Sequence, residues 1–244
     1  MNASDIRSLV AHFLAEKDKG ADCESLNSLA EEIQMCNQCS YSDQTVFVSR
    51  RYKVSNSEME KWKRLEKYIK PNKSVKLFDC AFGSGRDLLI AQNLGYDVYG
   101  CELSEFLFRD FLTSTHFDRT KVVNSDFRSI PYSDKTFDIV RHNASFLHLP
   151  VINKGYTVHK CLEESFRILK NDGCLYIYTK EGTGFTALDT GDGLGVRSFQ
   201  LFDEKSLTTL LLECGFLAKH INHFTKIRND IDIKWIEVFA QKRV

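Results

Sequence analysis

The sequence contains no apolar run approaching the roughly 20 residues that a membrane-spanning helix needs, so no such span is expected. It has no excess of either charge: 33 Lys and Arg balance 33 Asp and Glu. A balanced chain lacks the broad basic surface of a nucleic-acid or anionic-membrane binder and leaves room only for a local patch. The opening stretch MNASDIRSLVAHF has no basic segment ahead of an apolar block, so no secretory leader is expected. No internal repeat and no low-complexity segment is present. The cysteines do not form a metal-site pattern. Cys23, Cys36 and Cys39 are three thiols without a second close pair, and His12, the nearest fourth ligand, falls in a helical pattern; no metal is expected. Cys80, Cys101, Cys161, Cys174 and Cys214 lie in apolar or periodic segments and read as small buried hydrophobes. A chain of 244 residues, 43% hydrophobic, can bury a core without disulfides, and the expected compartment is a reducing cytoplasm.

What the chain does have is alternation. From Ser74 onward, apolar runs that read as strands (VKLFDC, DVYGCE, KVVN, FDIVRH, GCLYIYTK) are mostly separated by helical patterns (GRDLLIAQNL, SEFLFRDFLT, TVHKCLEESFRILK, DEKSLTTLLLECGF). This order predicts an α/β fold with a mostly parallel sheet covered on both faces. The last two strands, FLAKHINHF and IKWIEVFAQ, follow each other directly and predict an antiparallel pair. The first seventy residues differ. Ile6, Leu9, Val10, Phe13 and Leu14 share one helical face, Leu26, Leu29, Ala30 and Ile33 another, and SEMEKWKRLEKYIK reads as a third helix stopped by Pro71. Residues 1–70 are therefore expected to form a helical cap, and 71–244 the sheet domain.

In such sheets, ligands sit at the carboxyl ends of the strands. The stretch LFDCAFGSGRDLL places Asp79, then Gly83 and Gly85, between a strand and a helix, where glycine lets the backbone approach a ligand. The dinucleotide fingerprint needs a third glycine, but Leu88 stands there; the Gly-Lys-Ser/Thr of a phosphate loop is also missing. A lone Gly-x-Gly is as often a structural turn. Two further acids narrow the choice. Glu102 ends the second strand, where a carboxylate can accept from both hydroxyls of a ribose. Asp126 follows the third, placed to accept from an adenine amino group with Phe127 against the ring.

On these residues the chain resembles the class I S-adenosylmethionine-dependent methyltransferases, over about Val75 to Lys242. LFDCAFGSGRDLL resembles the family's first motif, VYGCELS its acidic ribose motif, NSDFRSIPYSDKTFDIVRHNASFLHLP its adenine loop and fourth strand, and EESFRILKNDGCLYIYTKEG its following helix, turn and fifth strand. Phe82 departs from the small residues many members have there. The variant AFGSGRDLL with NASFLHLP resembles bacterial small-molecule methyltransferases. The resemblance implies a Rossmann-like seven-stranded, mostly parallel sheet with an antiparallel last strand. It implies S-adenosylmethionine as cofactor, with S-adenosylhomocysteine as product. Asp79, Ala81, Gly83 and Gly85 would face the methionine part, with Arg86 and Asp87 near its carboxylate or amine. Glu102 would take the ribose, Leu103, Asp126 and Phe127 the adenine, and Asn143 and Ala144 the methyl-donor end.

For the acceptor, His148 after the fourth strand is the first candidate base, its ordinary pKa suiting proton removal from a hydroxyl; the alternative is a histidine that shapes the pocket. His142 lies within or at the end of a buried strand and is a weaker candidate. Lys180 and Glu181 end the fifth strand and could meet an acidic or polar substrate. Arg197 could clamp an anion, and Tyr41 and Tyr52 are further acceptor contacts. The glycine-rich stretch 182–197 is too long for a routine turn and is expected to be a flexible lid. The expected function is methylation of oxygen or nitrogen on a small metabolite, such as a sugar, capsule or natural-product precursor. A tRNA or protein methyltransferase, a non-catalytic adenosyl-binding module and a nicotinamide dehydrogenase are the alternatives. The neutral charge counts against nucleic acid and the missing glycine against the dehydrogenase.

Overall fold

The computed structural model describes residues 3–42, 48–153 and 156–243. Two helices open the chain, α1 (Ala3–Asp18) and α2 (Cys23–Ser42), followed by α3 (Asn56–Glu66). The sheet region runs β1 (Lys76–Cys80), α4 (Arg86–Leu94), β2 (Asp97–Glu102), α5 (Glu105–Ser114), β3 (Val122–Asn124) and β4 (Phe137–Asn143). It continues through a short 3₁₀ turn at Phe146–His148, α6 (Thr157–Ile168), β5 (Leu169–Lys180), β6 (Gly184–Asp189), β7 (Val196–Leu201), α7 (Glu204–Glu213), β8 (Phe216–Arg228) and β9 (Ile231–Lys242).

Seven strands form one sheet in the order β3-β2-β1-β4-β5-β9-β8. β1, β2, β3, β4 and β5 pair in parallel, while β9 runs antiparallel to both β5 and β8. This is the expected Rossmann-like sheet with one reversed strand. Its strands read as continuous apolar runs because both faces are covered. Phe78, Val140 and Ile177 point into one core layer, and their neighbours Leu77, Ile139 and Tyr176 into the other. All five cysteines read as buried hydrophobes are buried. No helix among the described residues is long and apolar enough to cross a membrane.

The register sets up the functional edge. Cys80 pairs with Cys101, and Asn143 with Tyr178. The residues that follow β1, β2, β4 and β5 therefore emerge along one rim. β8 and β9 run past the end of β5: Lys180, the last residue of β5, pairs with Trp235, and the hairpin carries on to Ile231.

The stretch 182–197 corrects the expectation of a flexible lid. Most of it belongs to a two-stranded antiparallel hairpin, β6 with β7, in which Gly184 pairs with Leu201 and Asp189 with Val196. Phe185 of this hairpin packs edge-on to Phe13 of α1, with ring centres 5.4 Å apart, in an apolar cluster with Val10, Leu26, Ala30 and Ile33. Asn37 of α2 donates to Ser198 Oγ at 2.7 Å and accepts from the Ser198 backbone N–H at 2.9 Å. The alternation in GFTALD and VRSFQL is a strand signal that the five glycines between Gly182 and Gly195 mask.

Candidate active site

A cavity of about 720 Å³ opens at the rim. One half of its wall is the strand edge. The other half comes from α2, α3 and the two hairpins.

At the strand edge, the chain leaves β1 through Ala81 (φ 57°), Gly83 (φ 58°) and Gly85 (φ 80°), all left-handed. The Gly83 N–H donates to Glu102 Oε2 at 2.7 Å, and Ser104 N–H to Glu102 Oε1 at 2.8 Å. Burial raises the Glu102 pKa, against these two backbone donors. A carboxylate has about four lone-pair sites, so capacity for further donors is left on its cavity side. Leu103 and Phe127 line the same part of the cavity. Ala144 at the end of β4 is a second non-glycine in the left-handed region (φ 56°), held by its N–H on Tyr178 O at 2.8 Å. Such conformations persist only where the surroundings fix them, and they cluster at ligand sites.

Beneath the turn, Arg141 is buried and shared by Asp79 (3.0 Å) and Asp87 (2.9 Å), and its guanidinium lies 4.5 Å from the Trp62 ring centre. Burial opposes ionisation of Asp87, yet Arg141, Arg86 and Lys61 together hold it well below the carboxylate range. Asp79 is pushed up to about 6 by burial, which outweighs Arg141, and by repulsion from Asp87. Asn143 donates to Asp87 at 2.7 Å and accepts from Lys61 Nζ at 3.1 Å. Arg86 is ion-paired with Glu58.

On the opposite wall, polar groups form a chain. His148 Nδ1 lies 2.8 Å from the carbonyl oxygen of Ser198, which can only accept, so Nδ1 carries the proton and Nε2 the lone pair. The Tyr41 hydroxyl, 2.7 Å away, donates to that lone pair and accepts from Arg197 at 2.9 Å. Arg197 is neutralised by Asp192 at 2.7 Å and also donates to Thr190. Burial, then the charge of Arg197, pushes the His148 pKa down to about 3. This corrects its reading as a base with an ordinary histidine pKa: it is neutral, and its lone pair is already taken. Arg197 likewise reaches the cavity with its charge met by Asp192.

Most of the expected residues converge here. Asp79, Ala81, Gly83, Arg86, Asp87, Glu102, Leu103, Phe127, Asn143, Ala144, His148, Lys180, Arg197 and Tyr41 all line the cavity. Four do not. Gly85 caps α4, and a Cβ there would meet the Phe111 side chain at 2.1 Å, so close packing requires it. Both carboxylate oxygens of Asp126 are held by Arg128, the shortest contact being 2.7 Å. Glu181 pairs with His223 at 3.0 Å, and Tyr52 is 70% exposed with its hydroxyl on Ser114 O. His142 is fully buried between Ser145 and Ser165. Among the contributors that sequence reasoning missed are Lys61, Trp235 and Lys226. Lys61 lies among other charged residues of a surface-like helix, and no local signal sets it apart from them. Lys226 reaches the cavity because β8 is longer than the apolar run that marked it, whereas Trp235 lies within its marked run, where it reads only as a strand residue. Among the described residues no His, Cys, Asp and Glu cluster suits a metal ion.

Residues 78–177, spanning β1 to β5, match a family described as a methyltransferase domain. No curated protein matches the chain. Among solved structures it is similar to an S-adenosylmethionine-dependent methyltransferase of Methanosarcina mazei (19% identity, TM-score 0.62, 74% of this chain and 97% of that one). It is also similar to the 1,6-didemethyltoxoflavin N1-methyltransferase of Burkholderia thailandensis, solved with 1,6-didemethyltoxoflavin and S-adenosylhomocysteine (18%, TM-score 0.59, 86% and 90%). The [4+2]-cyclase SpnF shares the fold too (15%, TM-score 0.62, 88% and 96%). The chain thus carries a match to a methyltransferase domain over β1 to β5 and shares the fold of these S-adenosylmethionine-dependent methyltransferases, in line with the resemblance its motifs carry.

Proposed function

We propose that the protein methylates an oxygen or nitrogen of a small metabolite, with residues 1–70 and the β6–β7 hairpin capping a catalytic domain over 71–244. The observation that carries this is one continuous cavity joining Glu102 and the glycine turn to the Tyr41–His148 wall. Glu102 would hold the ribose, Leu103 and Phe127 the adenine, and the Asp87–Asn143–Lys61 group the methionine end. The left-handed backbone at Ala81 and Gly83 leaves room for that ligand. When bound, S-adenosylmethionine supplies an activated methyl on a sulfonium, a leaving group that needs no acid. The protein's task is then chiefly alignment. Neutral His148, fixed by Ser198, orients the Tyr41 hydroxyl at the cavity, where the Tyr41 side chain would form part of the acceptor wall. The similar 1,6-didemethyltoxoflavin N1-methyltransferase, solved with 1,6-didemethyltoxoflavin bound, supports a small acceptor; a tRNA acceptor would call for basic surface that the balanced composition does not provide.

The test is transfer of label from methyl-labelled S-adenosylmethionine to a metabolite panel, with calorimetry of S-adenosylhomocysteine. Because the same fold serves a cyclase, turnover is read as label in the product. Nucleotide binding without label transfer to any metabolite would favour the non-catalytic module, and binding of NAD instead would remove the methyltransferase reading.

A further inference from the structure

The cavity wall beyond His148 is aromatic and cationic. Tyr178 and Trp235 stack with ring centres 4.7 Å apart at 11°. Lys180 Nζ lies 4.4 Å from the centre of the Trp235 ring and 5.0 Å from that of Phe199, which itself packs 4.9 Å from His148. Lys226 Nζ is 5.8 Å from Trp235 and 5.4 Å from Tyr178. Both lysines line the cavity, and Lys180 is only 5% exposed.

The nearby acids are already engaged. Asp192 is taken by Arg197, its carbonyl by Arg50, and Glu58 is paired with Arg86. Among the described residues no carboxylate lies within ion-pair distance of Lys180 or Lys226, whereas Lys61 at least has Asn143. Buried charge ordinarily has a partner. Ring faces compensate an ammonium partly, at well under the strength of a charge-assisted hydrogen bond to an anion. Burial, then Arg197, pushes Lys180 down to about 8, and burial lowers Lys226 too, outweighing the more distant charges of Asp192 and Glu58.

We propose that the methyl acceptor is an anion, a carboxylate- or phosphate-bearing molecule whose charge is seated by Lys180 and Lys226 beside Trp235. This rests on the methyltransferase reading above. It also agrees with the state of His148, since an acceptor that arrives deprotonated asks for no base. Arg197, read from sequence as the anion clamp, instead has its charge met by Asp192 and orients Tyr41; the clamp role passes to the two lysines.

The experiment uses the full chain saturated with S-adenosylhomocysteine, titrated calorimetrically with benzoate, its neutral isostere benzamide, and inorganic phosphate. Benzoate should bind tighter than benzamide by on the order of 10–100-fold, the range of a charge-assisted hydrogen bond. The paired substitution Lys180→Gln with Lys226→Gln should abolish that ratio, while Lys180→Arg with Lys226→Arg preserves it. Nucleotide affinity, changed less than about twofold in every variant, reports that each is folded. A response to phosphate that competes with benzoate assigns the acceptor's charge to a phosphate; a response to benzoate alone assigns it to a carboxylate. Equal binding of benzoate and benzamide, no response to either anion, or a preference that survives the glutamine pair overturns the proposal. Failure of the wild type to bind S-adenosylhomocysteine at all faults the methyltransferase reading instead, and the proposal with it.

Discussion

The two ends of the cavity are built from different kinds of chain. The end proposed for the methyl donor is a row of strand termini in one sheet, its acids met by backbone N–H groups at Glu102 and by one buried guanidinium at Asp79 and Asp87. The end proposed for the acceptor is assembled from α2 and two hairpins, and two of its lysines have no acid within ion-pair distance. Satisfied charge at the donor end makes it part of the folded core. Unsatisfied charge at the acceptor end is a cost to the empty protein that a ligand can remove. Substitutions should therefore divide: donor-end changes strike stability and nucleotide binding, and acceptor-end changes strike the second ligand.

The largest expected effect is at Arg141. Arg141→Met keeps the packing on Trp62 but leaves buried Asp79 without its cation and Asp87 with only Arg86 in ion-pair range, at 3.3 Å. Breaking a buried ion pair from one side costs about 3–5 kcal/mol. Urea denaturation should show it, while Lys226→Gln should lower stability little or not at all. If the two variants unfolded at the same urea concentration, the division between the ends would be lost.

Glu102→Ala comes next. The two hydrogen bonds proposed from a ribose to this carboxylate would be worth on the order of 2–4 kcal/mol of S-adenosylhomocysteine affinity. The Gly83 and Ser104 N–H groups lose their acceptor as well. Calorimetry giving the wild-type affinity would take Glu102 out of the site.

A smaller effect is expected at His148, and its sign with pH is fixed. A general base contributes about 10²–10⁴-fold; His148→Gln should cost less than that range, acting through Tyr41, and the wild-type rate should show no rise near 6.5. Stability offers a second readout. His142 and His148 are both pushed from 6.5 down to about 3 by burial. Between those values the unfolded chain binds protons that the folded one does not, so stability is fully present above 6.5 and falls as pH drops toward 3. His148→Gln should make that decline shallower. A rate inflection near 6.5 that the variant lacks would restore His148 as the base.

The same division explains what could be read from the sequence. Strand termini fall where apolar runs stop, so Asp79, Gly83 and Glu102 could be placed by counting elements, while Asn143 came from the family resemblance. Asp126 obeyed the same rule and still missed, because Arg128, two residues on, captures its carboxylate. No local rule marks Lys61 or Lys226. Each is one lysine among several, and only tertiary packing decides which one turns inward. The β6–β7 hairpin was hidden for a related reason: its strands are held by α1 and α2, far off in sequence.

The smallest expected effects test the boundary of the site. Tyr52 and Glu181 were both expected at the acceptor, and both lie off the cavity. Tyr52 is exposed and makes one hydrogen bond, at 3.2 Å, to Ser114 O. Glu181 faces His223 across the outer surface of the sheet end, where an exposed pair contributes about 0–1 kcal/mol. Its position next to Lys180 gives it no role by proximity, because successive residues of an extended chain point to opposite sides. Tyr52→Phe and Glu181→Gln should each leave S-adenosylhomocysteine affinity and the benzoate-to-benzamide ratio within about twofold of wild type, as surface changes within about 0.5 kcal/mol would. The Glu181 variant is the sharper of the two. It removes a negative charge from beside the lysine pair, so any long-range field effect should tighten benzoate slightly. A loss of benzoate binding in that variant would mean that Glu181 reaches the acceptor directly, and that the cavity closes around its ligand differently from the arrangement described.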